Sequence, residues 1–527
     1  MRRTISTLTF VSGLLTSTLP AQSQTPFAAD SVIRKIRIEG HDRSQLYPLA
    51  QALMDSIGPR LTGSTGQAQA NDWALTLYRK WGIPVRAEQY GTWIRWRRGI
   101  AHIDLIAPRI RPLEGMLSTW SPGTKGTVQG AVVLFPKVQT AAEFEASLPQ
   151  VRGKFVLLDF PWPTCRPDAN WKEFATPESF ERMQRERAEA LEAWYTGRVR
   201  KPGLRGPALV RRLAEAGALG VVTSLVPPPG PQGWGVHKIS TTVAETIPEL
   251  GLGCEDYGLV FRLAENNQGP ILRVNAEAEF TGEVPVSNVI AELRGNEKPN
   301  EYVVLSGHFD SWDPASGATD NGSATVMMME AMRILKVVYP NPKRTIVAAH
   351  WNGEEQGLNG SGAFAADHPE VINGMQALFN QDNGTGRVVN ISMEGFTGAG
   401  AFFSRWLSQM PSEITHEISL ADPGTPSRGT DHSSFTCHGA PAFSLSSRNW
   451  DYETYTWHTN RDTFDKIVFD DLQNNAMLLA MLAYLASEDD QRVPREPRIA
   501  LTNPQTGQPA VWPACVPPAR SWAQSRR

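Results

Sequence analysis

Glu301-Tyr-Val-Val-Leu-Ser-Gly-His-Phe-Asp310 decides the fold of this chain. Glu301 to Ser306 reads as a strand, a short and largely apolar run. It ends abruptly at His308 and Asp310, polar groups that a protein core does not hold without partners. Ser323 to Val338 follows with helical spacing and is closed by Pro340, and Arg344 to Ala349 is a second apolar strand. The alternation continues with a helix over 357–366, strands over 375–379 and 442–445, and a long final helix over 470–486. Such alternation predicts an α/β three-layer sandwich with helices on both faces of a mostly parallel central sheet. Ligand sites in that architecture lie beyond the carboxyl ends of the strands.

The residues at those ends share one chemistry. His308 and Asp310 follow the first strand, and Asp320 lies in Ala318-Thr-Asp-Asn-Gly322 ahead of the first helix. Glu354 and Glu355 follow the second strand, Asp382 the third, and His458 sits in the loop Trp457-His-Thr-Asn-Arg-Asp462 before the last helix. Each has an ordinary reading when taken singly: a helix start for Asp320, a solvated turn for the two glutamates, a hydrogen-bonded ring for either histidine. Their recurrence at successive strand ends points instead to one site. Imidazole and carboxylate suit Zn²⁺, and two zinc ions can share a bridging carboxylate and a water. A free carboxylate beside that water accepts its proton and returns it to a leaving amine. Adjacent residues in extended backbone point opposite ways, so Glu354 and Glu355 can divide ligation from proton transfer.

Working outward, Ser44 to Ile57 and Ala70 to Trp81 have helical spacing around the turn Gly58-Pro-Arg-Leu-Thr-Gly-Ser64, and Pro84 to Arg97 is strand-like. Between Gly123 and Thr281 the character changes to short buried strands over 131–135, 154–158 and 220–223, a polar helix over 180–195 and an alternating strand over 273–280. The Pro- and Arg-rich tail after Glu488 is expected to pack loosely. Arg2, Arg3, the apolar stretch Ile5 to Leu19 and Ala21-Gln22-Ser23 read as an export signal, which places the mature protein outside the cytoplasm, secreted or periplasmic. No later run reaches the roughly 20 apolar residues of a membrane span. The four cysteines leave their pairing open, and none forms a Cys-x-x-Cys metal motif. With 51 Lys+Arg against 54 Asp+Glu the net charge is −3, which gives no basic face for a nucleic acid partner. Glycosylation tripeptides begin at Asn321, Asn359, Asn383 and Asn390; a glycan on Asn321 or Asn383 would obstruct the strand-end site.

The set His308-x-Asp310, Asp320, Glu354-Glu355, Asp382 and His458 resembles metallopeptidase family M28, the co-catalytic zinc aminopeptidases and their relatives. Gly307-His-Phe-Asp-Ser-Trp-Asp313 and Gly429-Thr-Asp-His-Ser-Ser-Phe435 are most similar to its plasma glutamate carboxypeptidase branch. The resemblance implies a discontinuous zinc-peptidase domain over 24–122 and 282–489, interrupted by a β-rich protease-associated insert over 123–281. A signal over 1–23 and a tail over 490–527 complete the division. It also implies two Zn²⁺ per chain, with Asp320 bridging, His308 and Asp382 completing one site, and Glu355 and His458 the other. Glu354 would be the general base and acid, and Asp310 would orient His308. The bridging Asp would precede a cis peptide bond. The family's oxyanion-supporting tyrosine has no clear match; His432 is the candidate by motif position, with Tyr452 and Tyr455 as substitutes. Trp450 and Trp457 flank the last ligand and would either wall a side-chain pocket or pack in the core, and Arg428 reads as an exposed loop residue ahead of a contact for a substrate carboxylate. The expected function is hydrolysis of a terminal peptide bond, by an aminopeptidase ahead of a dipeptidase or carboxypeptidase. A single-zinc glutaminyl cyclase-like acyltransferase and a non-catalytic transferrin receptor-like ectodomain are the alternatives from other classes. The insert would act as a lid over the cleft, and the oligomeric state stays open.

Overall fold

The computed structural model describes residues 30–226, 230–231, 233, 235–239, 241, 245–499 and 511–526. The expected export signal lies outside them. The strand order of the peptidase sheet is Ser419–Ala421, Val388–Ser392, Ala442–Ser447, Met375–Gln381, Lys298–His308, Arg344–Trp351, Ile271–Leu293 and Val85–Ala107. The three strands at its centre run parallel, with Val304 opposite Val347 on one side and Leu378 on the other.

Alternation along these strands builds two cores. Val303, Leu305, Ile346 and Ala348 pack with the helices Ser323–Val338 and Phe469–Glu488. Val304, Val347 and Ala349 face the opposite way, against Phe364, Ile372 and Phe435. Arg344–Trp351 and Met375–Gln381 are buried along their whole lengths, as expected of parallel strands covered on both faces. This is the three-layer sandwich expected from the alternation. It sets the carboxyl ends of Lys298–His308, Arg344–Trp351 and Met375–Gln381 side by side.

The insert hangs from the same sheet. Val85–Ala107 and Ile271–Leu293 form one antiparallel ribbon, paired from Val85↔Ala291 to Ala107↔Ile271. Its near end pairs with Arg344–Trp351. Its far end pairs with Val128–Leu134, beyond which Phe155–Leu157, Gly220–Ser224 and Glu249–Leu252 continue a parallel sheet. Helices including Pro177–Trp194, Gly206–Glu215 and Cys254–Glu265 surround these strands. The expected edge of the insert at residue 281 therefore falls inside a continuous strand. Thr281, Gly282 and Glu283 are exposed at a bulge where the ribbon crosses between the two sheets, so the apolar signal lapses there although pairing resumes on both sides.

The described residues of the tail are anchored, not loosely packed. Cys515 is bonded to Cys437, Trp522 packs against Trp93 and Trp120, and the Thr92 N–H donates to the Arg520 carbonyl at 2.9 Å. A second disulfide joins Cys165 to Cys254 within the insert. Asn321 and Asn359 are buried, which removes them as glycan acceptors in the folded protein. Among the described residues no helix is long and apolar enough to cross a membrane.

Candidate metal centre

His308 closes the central strand, and its Nε2 lies 3.2 Å from Asp320 Oδ1 and 3.1 Å from Asp382 Oδ1. Asp320 comes from the turn Ala318–Gly322, where the Asp320–Asn321 peptide is cis. Its other oxygen, Oδ2, is 3.2 Å from His458 Nε2, which is also 3.0 Å from Glu355 Oε2. Two three-residue groups thus share Asp320, and within each group the ligand atoms lie within 4.8 Å of one another. Ligand atoms around a tetrahedral zinc with bonds of about 2.0–2.1 Å stand about 3.4 Å apart, close to the spacings found here.

The charge balance tests the fit. Burial pushes the Glu355 carboxyl up to about 8, with Asp320 adding to the effect, and pushes Glu354 well above the usual range. Burial also raises Asp431 and Asp462 to about 7. Burial opposes protonation of His458, yet Glu355 and Asp320 together lift it to about 10. Against these acids the surroundings supply chiefly Arg60, whose guanidinium is fully buried. So dense a group of buried carboxylates is stabilised by cations placed among them.

The supports are short-range and specific. His308 Nδ1 faces the backbone carbonyl of Asp310 at 3.0 Å, while the Asp310 carboxylate is 3.7 Å away. The orienting group expected of the Asp310 side chain is thus its main chain. The carboxylate instead accepts from the backbone N–H groups of Glu354 and Glu355 at 3.2 and 3.3 Å, and from the Thr62 hydroxyl at 3.1 Å. Asp462 accepts from the N–H groups of Thr319 and Asp320 at 2.6 and 3.0 Å and so holds the turn carrying Asp320. Arg60 donates to the carbonyls of Phe309, Ser316 and Gly317, tying the two segments that carry His308 and Asp320. Gly58–Ser64, legible in the sequence only as a turn, is the back wall of the site.

His432 does not join the group. It is buried, and its Nε2 meets the Ser427 hydroxyl at 2.8 Å and Glu394 at 3.5 Å. Its expected oxyanion role is corrected accordingly: Nε2 is committed to partners outside the ligand set, and no contact joins the ring to that set among the described residues. Its neighbour Asp431, which sequence reasoning passed over, is the residue of that motif that faces His308, Asp382 and Glu354 electrostatically. Tyr452 is buried, and Asp320, Asp382 and Glu355 add to the burial that raises its hydroxyl far above the usual tyrosine range. Of the two tryptophans, Trp457 stacks on His458 with centroids 4.2 Å apart, whereas Trp450 is exposed and bonded to Asp471. Arg428 is exposed and lines a separate small cavity with Gly357 and Leu358.

Insert residues reach this site. The Ile239 N–H donates to the His458 carbonyl at 2.9 Å, and His237 and Asn460 exchange bonds at 2.8 and 3.0 Å. With Ile239 in place, the space bounded by Asp320, Glu355, His458 and Trp312 is only about 10 Å³.

Residues 288–483, which carry the whole ligand set, match the family model of peptidase family M28. These residues form a peptidase family M28 domain. As an M28 metallopeptidase the chain is a hydrolase whose substrates are peptides. It is 26% identical over 468 residues to carboxypeptidase Q of Rattus norvegicus, covering 88% of this chain and 89% of that one. Carboxypeptidase Q of Homo sapiens is 25% identical over 473 residues, with 88% and 89% covered. Among solved structures, a peptidase M28 precursor from Shewanella amazonensis aligns with a TM-score of 0.62 at 22% identity, covering 89% of this M28 chain and 98% of that one. A zinc aminopeptidase from Bacillus subtilis aligns with a TM-score of 0.53 at 18% identity, covering 86% and 96%. At these identities the two structures speak for the fold.

Proposed function

We propose that the protein is a two-zinc exopeptidase acting outside the cytoplasm, and that it removes residues from free amino termini. The observation that carries this reading is Asp320, whose two oxygens face separate imidazoles. His308, Asp320 and Asp382 would hold one zinc, and Asp320, Glu355 and His458 the other. Zinc at such a site polarises a scissile carbonyl and brings the pKa of a water to near neutrality. Glu354, left out of both ligand groups, takes the proton of the attacking water and returns it to the leaving amine. Its raised pKa suits a group that must both accept and give a proton near neutral pH. Asp310 fixes the backbone of Glu354 and Glu355, and the Tyr452 hydroxyl is the donor for the developing oxyanion.

The insert would serve as the lid. Ile239, bonded to the His458 carbonyl, narrows the approach to the site, which suits short chain ends better than a long polypeptide threaded through it. Two disulfides fit an oxidising compartment.

A carboxypeptidase or dipeptidase reading has one observation in its favour. Lys238, next to Ile239, places its ammonium on the Trp457 carbonyl and 4.3 Å from the centre of that ring. A cation on the closing loop suits a substrate carboxylate, and the curated relatives are named carboxypeptidases.

Dipeptides and tripeptides with free, acetylated or amidated ends separate the two readings. Aminopeptidase action requires cleavage to survive C-amidation and to stop on N-acetylation; the reverse pattern overturns it in favour of the Lys238 reading. In the same assay Glu354→Gln keeps its zinc and loses about 10²–10⁴-fold in kcat. Near-normal turnover in that variant would remove Glu354 from its role.

A further inference from the structure

The insert holds a second cavity, about 760 Å³ in volume, that shares no wall with the metal centre. That lies within the roughly 300–1,000 Å³ range of ligand sites. Its floor is aromatic. Phe160 and Trp162 meet edge to face with centroids 5.3 Å apart, and Trp194 and Phe261 do so at 5.6 Å. Its rim carries Lys137, Arg198, Lys201 and Arg262 against a single acid, Glu265.

These four cations are gathered on one cavity, unlike the region's ion-paired arginines. Arg111, Arg187, Arg212 and Arg273 are each ion-paired at 2.9 Å or closer, to Asp256, Asp168, Glu145 and Asp104. Among the described residues none of the four rim cations has an acidic partner within ion-pairing distance. Arg198 instead lies over the Trp194 ring, 4.6 Å from its centre. Guanidinium groups bind carboxylates by paired, charge-assisted hydrogen bonds, and a ring beneath the guanidinium leaves its edge free to make them. The patch is confined to one cavity on a chain of net charge −3, so it suits a short anionic segment better than a long polyanion or a charged surface.

We propose that this groove binds an acidic peptide segment, with carboxylates on Arg198 and Arg262 and an apolar side chain against Trp162 and Trp194. It is a second peptide site, apart from the metal centre, and the test needs no turnover. The probe is a short peptide alternating Glu and Phe, acetylated and amidated so that an exopeptidase leaves it intact. Calorimetry on the full chain is expected to show binding at least about tenfold tighter than to the same peptide with Lys for Glu, the value of one charge-assisted hydrogen bond. Raising the salt concentration weakens it. Arg198→Glu with Arg262→Glu abolishes the preference while cleavage of a free dipeptide stays within about twofold, and Arg198→Lys with Arg262→Lys retains part of the binding. Equal affinity for the two peptides, or acidic-peptide binding untouched by the double reversal, overturns the proposal. So does capture of phosphatidylglycerol vesicles that the double reversal abolishes when the acidic peptide does not bind, an outcome that assigns the patch to lipid.

Discussion

Two parallel sheets share one ribbon in this molecule, and their carboxyl ends have opposite fates. In the peptidase sheet three neighbouring strands end in His308, in Glu354 and Glu355, and in Asp382, with Asp320 between them. In the insert Phe155–Leu157 is followed by Asp159, and Glu249–Leu252 by Asp256, whose carboxylate is paired with Arg111 and accepts from the Glu114 N–H. Burial raises Asp159 too, but the Ser224 N–H and the Tyr195 hydroxyl satisfy it at 2.9 and 3.2 Å. A strand end by itself makes no metal centre. A surplus of buried carboxylates beyond what local donors satisfy does, and that surplus separates the two sheets.

The largest test of that contrast removes one carboxylate from each side. Asp320→Asn is expected to leave at most one zinc per chain. Its loss of turnover should exceed the roughly 10²–10⁴-fold lost with the proton-transferring group alone. Asp159→Asn should keep metal content and kcat within about twofold, because its neighbours are hydrogen-bond donors rather than ions. Metal analysis of purified protein beside a dipeptide assay reads both. Full zinc content in Asp320→Asn would break the comparison at its root.

Stability against pH sharpens it. Glu355 at about 8, and Asp431 and Asp462 at about 7, all stand above their unfolded values, so the folded metal-free protein binds more protons than the unfolded chain. The stability this confers is complete below the ordinary carboxylate range and is lost as pH rises through 7 to 8. His458, raised to about 10, acts in the same direction. Asp320, lowered by its hydrogen bonds to His308 and His458 although burial opposes this, acts oppositely and only below the ordinary Asp range. Thermal melts of chelated protein should therefore show Tm falling from pH 5 to pH 8, and zinc should restore it most at the upper end. A Tm that rises over that interval would mean the acids are neutralised by the protein itself.

Much of this was legible beforehand, for physical reasons that differ by region. Val303 to Leu305 and Ile346 to Ala348 are buried on both faces, so they read as unbroken apolar runs and their strand ends could be located. The ribbon was cut short at residue 281 because its exposed middle has no apolar period to follow, its pairing being carried by backbone hydrogen bonds. The tail misled through its composition: proline and arginine suggested loose packing, whereas Cys515, Trp512 and Trp522 anchor it. In the site, the liganding types stood out at the strand ends. The supports did not, because Arg60 acts through backbone carbonyls more than 240 residues away, a relation no local pattern records. Asp431 was hidden by its neighbour, since histidine draws the eye in a motif where the aspartate faces the acids.

The smallest expected effect concerns that neighbour. His308 and His432 are equally buried, yet one points at two carboxylates of the ligand set and the other at Ser427 and Glu394. If burial of a histidine near the sheet edge were enough for a catalytic role, the two would be alike. Their partners say otherwise, and Tyr452 is the hydroxyl that shares the field of Asp320 and Asp382. His432→Gln should then change kcat of the folded protein by less than about threefold while lowering Tm, because the loss falls on packing and not on the transition state. Tyr452→Phe should lower kcat roughly 10²–10³-fold, the usual effect of one oxyanion donor, with KM little changed. Steady-state kinetics on one dipeptide rank the two variants directly. A larger kcat loss in His432→Gln than in Tyr452→Phe would return the imidazole to the reaction and make the Ser427 and Glu394 bonds its tuning partners.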